Sequence, residues 1–128
     1  MNTLRFLQAL LAAMAFALCA ASPAHATPSA SEQKVIETLI QRVASQKSMK
    51  FMRNGEEHDG AEAARHLRAK YDHFKDEIVT AEDFIRLCGT RSEVTKVPYK
   101  VRIANKGTRS SSDFLKEELR AVRRQAKA

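Results

Sequence analysis

The chain has 128 residues, with 22 Lys and Arg against 15 Asp and Glu, and a net charge of +7. That length supports one domain with one modest core, and the basic balance points to anionic partners. No low-complexity tract and no internal repeat is present, which excludes a solenoid or repeat-array architecture.

Met1 to Ala26 has the pattern of a cleavable secretory leader. Arg5 supplies the positive start, and Phe6 to Ala21 is apolar except for Gln8. Ala24-His25-Ala26 fits the small-x-small cleavage site, with Thr27 as the new N-terminus. The apolar run of 16 residues is shorter than the roughly 20 needed to span a bilayer. Cys19 as a lipid-attachment site is disfavoured, because bulky Leu18 stands where that signal wants a small residue. Residues 27–128 then form a single domain, with a core over 32–122 and a basic C-terminal end over 120–128. Arg5 and Cys19 leave with the leader, so Cys88 remains alone, and no membrane-spanning segment follows.

Thr27 to Ser31 reads as a short flexible arm. Ser29 with Glu32 has the form of a capping box, and Val35, Ile36, Leu39, Ile40 and Val43 mark a helix to about Gln46. Asn54-Gly55 is the preferred pair for a type I′ turn, in which both central residues need positive φ, so Lys50 onward forms a hairpin. Phe51 and Arg53 share one face of its first strand. Asp59 and Gly60 cap a second helix with Glu62 in its first turn; Ala64, Leu67, Tyr71 and Phe74 form its apolar face. Thr80 caps a short helix with Phe84, Ile85, Leu87 and Cys88, which Gly89 stops. After a polar loop, Pro98 opens a strand in which Tyr99, Val101 and Ile103 alternate with Lys100 and Arg102. Ala104 to Gly107 turns the chain towards a partner strand, and Ser110 to Ser112 caps a last helix with Phe114, Leu115, Leu119 and Val122 inside. The order predicts a small α+β domain, with helices packed on one face of a short antiparallel sheet that contains the Asn-Gly hairpin.

Five stretches occur in register: Phe51-Met52-Arg53-Asn54-Gly55, Ala63 to Lys70, Thr80 to Ile85, Pro98-Tyr99-Lys100-Val101, and Asp113 to Leu119. Together they resemble the YfeK-like family of small exported bacterial proteins, a domain of unknown function. The resemblance implies a signal peptide and a periplasmic location. It brings no activity, substrate or catalytic residue. The loop before Pro98 departs from the family pattern, which is richer there in Ser and small residues.

Cys88 reads as a small buried hydrophobe at a helix C-terminus, where the dipole disfavours a thiolate. His66 and His73 are seven residues apart on one helix, about 10.5 Å, too far to share one zinc at about 2 Å from each nitrogen. Neither a metal site nor a cofactor is expected. The acidic pairs Glu56-Glu57, Glu82-Asp83 and Glu117-Glu118 read as solvated surface, the last two in first helical turns. Lys116, Arg120, Arg123 and Lys127 recur at i, i+4, i+7 and i+11, a basic stripe adjoined by Arg124. Arg53, His66, Arg68 and Lys70 make a second cluster where hairpin and helix converge. Nucleic acid is an unsuitable partner outside the cytoplasm, and the aromatic interleaving of single-strand binders is missing. The expectation is a non-catalytic accessory protein of the envelope that binds an anionic envelope component or an acidic protein through a basic surface. The alternative is a small enzyme or redox protein using Cys88 and a histidine.

Overall fold

A computed structural model describes residues 27–127. The expected leader Met1–Ala26, with Cys19 and the cleavage position at Ala26, lies outside the described residues. The described chain runs α1 (Ala30–Ala44), β1 (Met49–Arg53), β2 (Glu56–His58), α2 (Gly60–Phe74), a 3-10 turn (Lys75–Glu77), α3 (Ala81–Cys88), β3 (Lys100–Ile103), β4 (Gly107–Ser110) and α4 (Ser111–Ala126). The fold is α+β, as the element pattern predicts.

The hairpin forms for the expected reason. Asn54 and Gly55 both take left-handed φ, 52° and 80°, and Arg53 pairs with Glu56 across the two-residue turn. β3 joins the other edge of β1, antiparallel, with Phe51 opposite Val101 and Met49 opposite Ile103. β4 completes a sheet of order β2-β1-β3-β4. Met49, Phe51 and Val101 put one face into the core, while Lys50, Lys100 and Arg102 stay exposed. α2 and α4 lie on the apolar face; α1 and α3 pack behind them. Ile36, Leu39, Val43, Ile78, Phe84 and Leu115 fill the space between and are fully buried.

The caps are local. Asp59 Oδ1 accepts from Glu62 N, and Ser110 Oγ accepts from Asp113 N. Thr80 and Asp83 form a complete capping box. At α1 the expectation is half met. Ser29 Oγ accepts from Glu32 N, but the Glu32 carboxylate does not return to the cap. It accepts instead from Ala81 N and from both terminal nitrogens of Arg123, which also donates to Glu82. Arg123 thus clamps α1, α3 and α4 together. Nor is the start of the chain a loose arm: Pro28 is buried and its carbonyl accepts from Gln33 Nε2.

The entry of α2 is set by a close backbone approach. A Cβ at Gly60 would lie 2.5 Å from the Val43 carbonyl oxygen and 2.7 Å from that of Gln46. Gly→Ala at an unobstructed helical site stabilises by about 0.4–1 kcal/mol. At Gly60 the sign reverses, because carbonyls at the end of α1 cannot move aside. Gly60→Ala is expected to lower stability by about 1–3 kcal/mol in urea denaturation.

Candidate functional site

One residue breaks the apolar face of α2. Lys70 falls on the same side as Leu67 and Phe74 and is buried. A buried ammonium needs oxygen around it. Lys70 Nζ donates to the Arg91 carbonyl at 2.9 Å and to Tyr99 Oη at 3.3 Å, and lies 3.9 Å from the Glu93 carboxylate. It also sits 5.1 Å from the centre of the Tyr99 ring. Burial lowers its pKa from the ordinary lysine value, and the Glu93 charge opposes that shift.

Tyr99 reaches this position because its backbone is held on both sides. Its N–H donates to Thr90 O, its carbonyl accepts from Ser111 N, and Pro98 bridges to Arg91. One turn before Lys70, His66 is held between two partners. Arg53 Nη1 donates to His66 Nδ1 at 2.6 Å, and His66 Nε2 lies 3.0 Å from Tyr99 Oη. Guanidinium has no acceptor, so Nδ1 accepts and the imidazole proton sits on Nε2, donating to Tyr99. Burial, then the charges of Arg53 and Lys70, drive the His66 pKa from 6.5 to about 4, and the ring is neutral near pH 7.

These four side chains floor a cleft of about 370 Å³. Asn54 Oδ1 accepts from Thr95 Oγ1 at 2.7 Å and so ties the hairpin turn to the loop over residues 90–97. Ala69, Phe74 and Val94 add an apolar side. The volume lies within the range of about 300–1,000 Å³ of small-molecule sites. A second pocket behind Arg53, His66 and Tyr99 holds only about 40 Å³, lined by Phe51, Leu67 and Leu115. That is room for a water, not for a ligand.

Of the residues that sequence reasoning singled out, Arg53, His66 and Lys70 converge on this cleft. Arg68 does not: it turns to Glu37 on α1 at 2.6 Å. Tyr99 was missed as a site residue. Its signal was present, since a tyrosine in the inward phase of a strand needs a partner for its hydroxyl. The basic stripe is split. Lys116, Arg120 and Arg124 on α4 are exposed, as is Lys127 just past its end, whereas Arg123 is committed to Glu32 and Glu82. Of the acidic pairs, Glu56, Glu57, Glu82 and Glu117 are exposed, whereas Asp83 and Glu118 are half-buried. Asp83 is part of its capping box, Glu118 pairs with Arg42, Glu117 with Arg109, and Glu57 with Arg102. Glu117 and Glu118 also stand in the second turn of α4, not its first.

Cys88 is fully buried, and burial pushes its thiol up to about 12 against the opposing charge of Lys70. Among the described residues no group of three His, Cys, Asp or Glu is placed to hold a metal ion. No described helix is long and apolar enough to cross a membrane.

Two measurements follow from this geometry. A thiol reagent at pH 8 is expected to leave Cys88 untouched in the native protein and to modify it fully in denaturant; rapid native labelling would contradict the packing. The depressed His66 pKa means that the unfolded chain binds more protons between pH 6.5 and about 4. Stability is therefore fully present above pH 6.5 and falls as pH drops towards 4. The lowered carboxylates Glu32, Glu37, Asp83 and Glu117 act below their ordinary range, under pH 4.5. Denaturation midpoints taken between pH 7 and 4.5 should decline in wild type and decline less in His66→Gln.

No solved structure matches the chain. The family described as "Family of unknown function (DUF5329)" matches residues 30–123, from the first residue of α1 into the last turns of α4. The chain is similar to "Uncharacterized protein YfeK" of Salmonella typhimurium (strain LT2), 37% identical over 83 residues, which is 65% of this chain and 69% of that protein. The family match over residues 30–123 covers the hairpin, the helices and the cleft, and the chain belongs to the family of unknown function DUF5329.

Proposed function

We propose that the protein is exported to the periplasm and is a non-catalytic binding protein of the cell envelope, with the cleft between Arg53, Lys70 and Tyr99 as its site for an anion. The observation that carries this is two cations facing one cleft with, among the described residues, no carboxylate in hydrogen-bonding contact with either; Glu93 stands off from Lys70 at 3.9 Å. The leader pattern of Met1–Ala26 supports export. His66 and Cys88, the pair the enzyme alternative needs, are unsuited to catalysis. Both nitrogens of His66 are engaged, so it has no free lone pair for a substrate proton. Cys88 is inaccessible and its thiol is far from ionising at neutral pH.

The exposed stripe of Lys116, Arg120 and Lys127 is the weaker site, because solvent and salt screen it. Native mass spectrometry of the chain from Thr27, after exposure to envelope extract, separates the two surfaces. A small anionic adduct is expected at low salt. It should be reduced at high salt, lost in Arg53→Met and kept in the Lys116→Glu/Arg120→Glu variant. An adduct that follows Lys116 and Arg120 instead would move the site to α4. Full-length chain expressed in a Gram-negative host should appear in the periplasm without its first 26 residues; unprocessed cytoplasmic chain would overturn the export.

A further inference from the structure

Resting on that reading of the cleft, we infer that its ligand is a singly charged carboxylate carrying an apolar body, held by the Tyr99 hydroxyl and the Arg53 guanidinium. The hydrogen count at Tyr99 is the first ground. Its oxygen accepts from His66 Nε2 at 3.0 Å and from Lys70 Nζ at 3.3 Å. Both neighbours are donors to it, so the phenolic hydrogen must point away from them. Among the described residues no acceptor meets that hydrogen. Burial raises the Tyr99 pKa, so the phenol keeps its proton and remains a donor. Tyr99 is only 8% exposed, which makes its direction fixed rather than adaptable. Arg53 spends one of its five N–H groups on His66 and has donors left over at the same cleft. Arg53 and Tyr99 hold opposite nitrogens of the His66 ring and offer the cleft two separate donors.

Charge selects between oxyanions. Arg53 and Lys70 are positive, His66 is neutral because its Nδ1 is occupied by Arg53, and Glu93 lines the same cleft. Lys96, 3.6 Å from Glu93, is more exposed than Glu93 and stands outside the lining; the lining charges sum to one positive. A carboxylate neutralises it, whereas a phosphate monoester dianion leaves a negative charge facing Glu93 in a partly desolvated site. The apolar side supplies the rest. Val94 is 91% exposed at the mouth of the cleft, beside half-buried Phe74. An apolar body lying over Val94 and Phe74 would remove that surface from water.

The test is calorimetric titration at pH 8 of the chain from Thr27 with four probes: octanoate, acetate, octyl phosphate and inorganic phosphate. Octanoate should bind about tenfold or more tightly than each of the others. Tyr99→Phe should weaken octanoate by about tenfold. Two variants on the exposed loop keep the test clear of folding defects. Val94→Ser should narrow the gap between octanoate and acetate, and Glu93→Gln should narrow the gap between octanoate and octyl phosphate. Equal binding of acetate and octanoate, or tighter binding of the phosphates, would overturn the carboxylate inference and leave the anion cleft standing. No binding of any probe alongside an Arg53-dependent envelope adduct would do the same. No probe bound and no adduct would overturn the cleft itself.

Discussion

An ammonium group taken out of water has to find oxygens, and the half of the molecule around the cleft is arranged by that requirement at Lys70. An unpaired buried charge costs several kcal/mol, on the order of the stability of a domain this size. The Arg91 carbonyl and the Tyr99 hydroxyl meet the need. Both belong to the chain between α3 and β3, which has little apolar surface of its own to anchor it. Holding those two oxygens to α2 fixes where the loop crosses and where β3 begins. Tyr99 then orients His66, and His66 orients Arg53 at the end of β1. Asn54 closes the ring through Thr95.

A leucine at position 70 would fill the same space with no demand for oxygen. Buried ionic groups are often replaceable by apolar ones of similar volume without loss of stability. The lysine is therefore poorly explained as a stabilising residue. It is better explained as a charge brought to the bottom of a cleft, where low dielectric makes it effective. The same contrast marks Arg123. Its carboxylate partners Glu32 and Glu82 neutralise it fully, and it acts as a clamp. Lys70 has mainly neutral acceptors, with the Glu93 carboxylate at 3.9 Å, so its charge is only partly offset.

The fold was legible because its determinants are local. The Asn54-Gly55 turn, the Asp59, Thr80 and Ser110 caps, and the apolar faces of all four described helices are set within a few residues of chain. The site was half legible for the same reason. Arg53, His66 and Lys70 lie close in sequence, across a hairpin that leads straight into a helix, so their convergence could be read. Tyr99 joins them across 33 residues, and its alternation with Val101 announced burial without announcing a partner. Arg123 was misread because its acids come from 91 and 41 residues away. Glu32 in particular carried a competing local pattern, the capping box, which the tertiary contact displaced. Lys70 was named as a cation but not as a buried one, since a single charge among Leu67, Tyr71 and Phe74 reads as the edge of an apolar face until the loop is seen to cover it.

The excess positive charge of the chain divides into kinds with different reach. Arg42, Arg68, Arg102, Arg109 and Arg123 each pair with a carboxylate from another element and hold helices and strands in place. Lys116, Arg120, Arg124 and Lys127 have no carboxylate within ion-pair distance among the described residues, but they stand in water. At physiological salt their field fades within about 8 Å, which is enough to draw an anion near and not enough to hold one. Arg53 and Lys70 combine low exposure with a shaped cavity and a fixed hydroxyl donor. Retention of an anion requires donors that need no reorganisation when it arrives. On that ground we propose that the helix-end cations steer an anion and the cleft binds it.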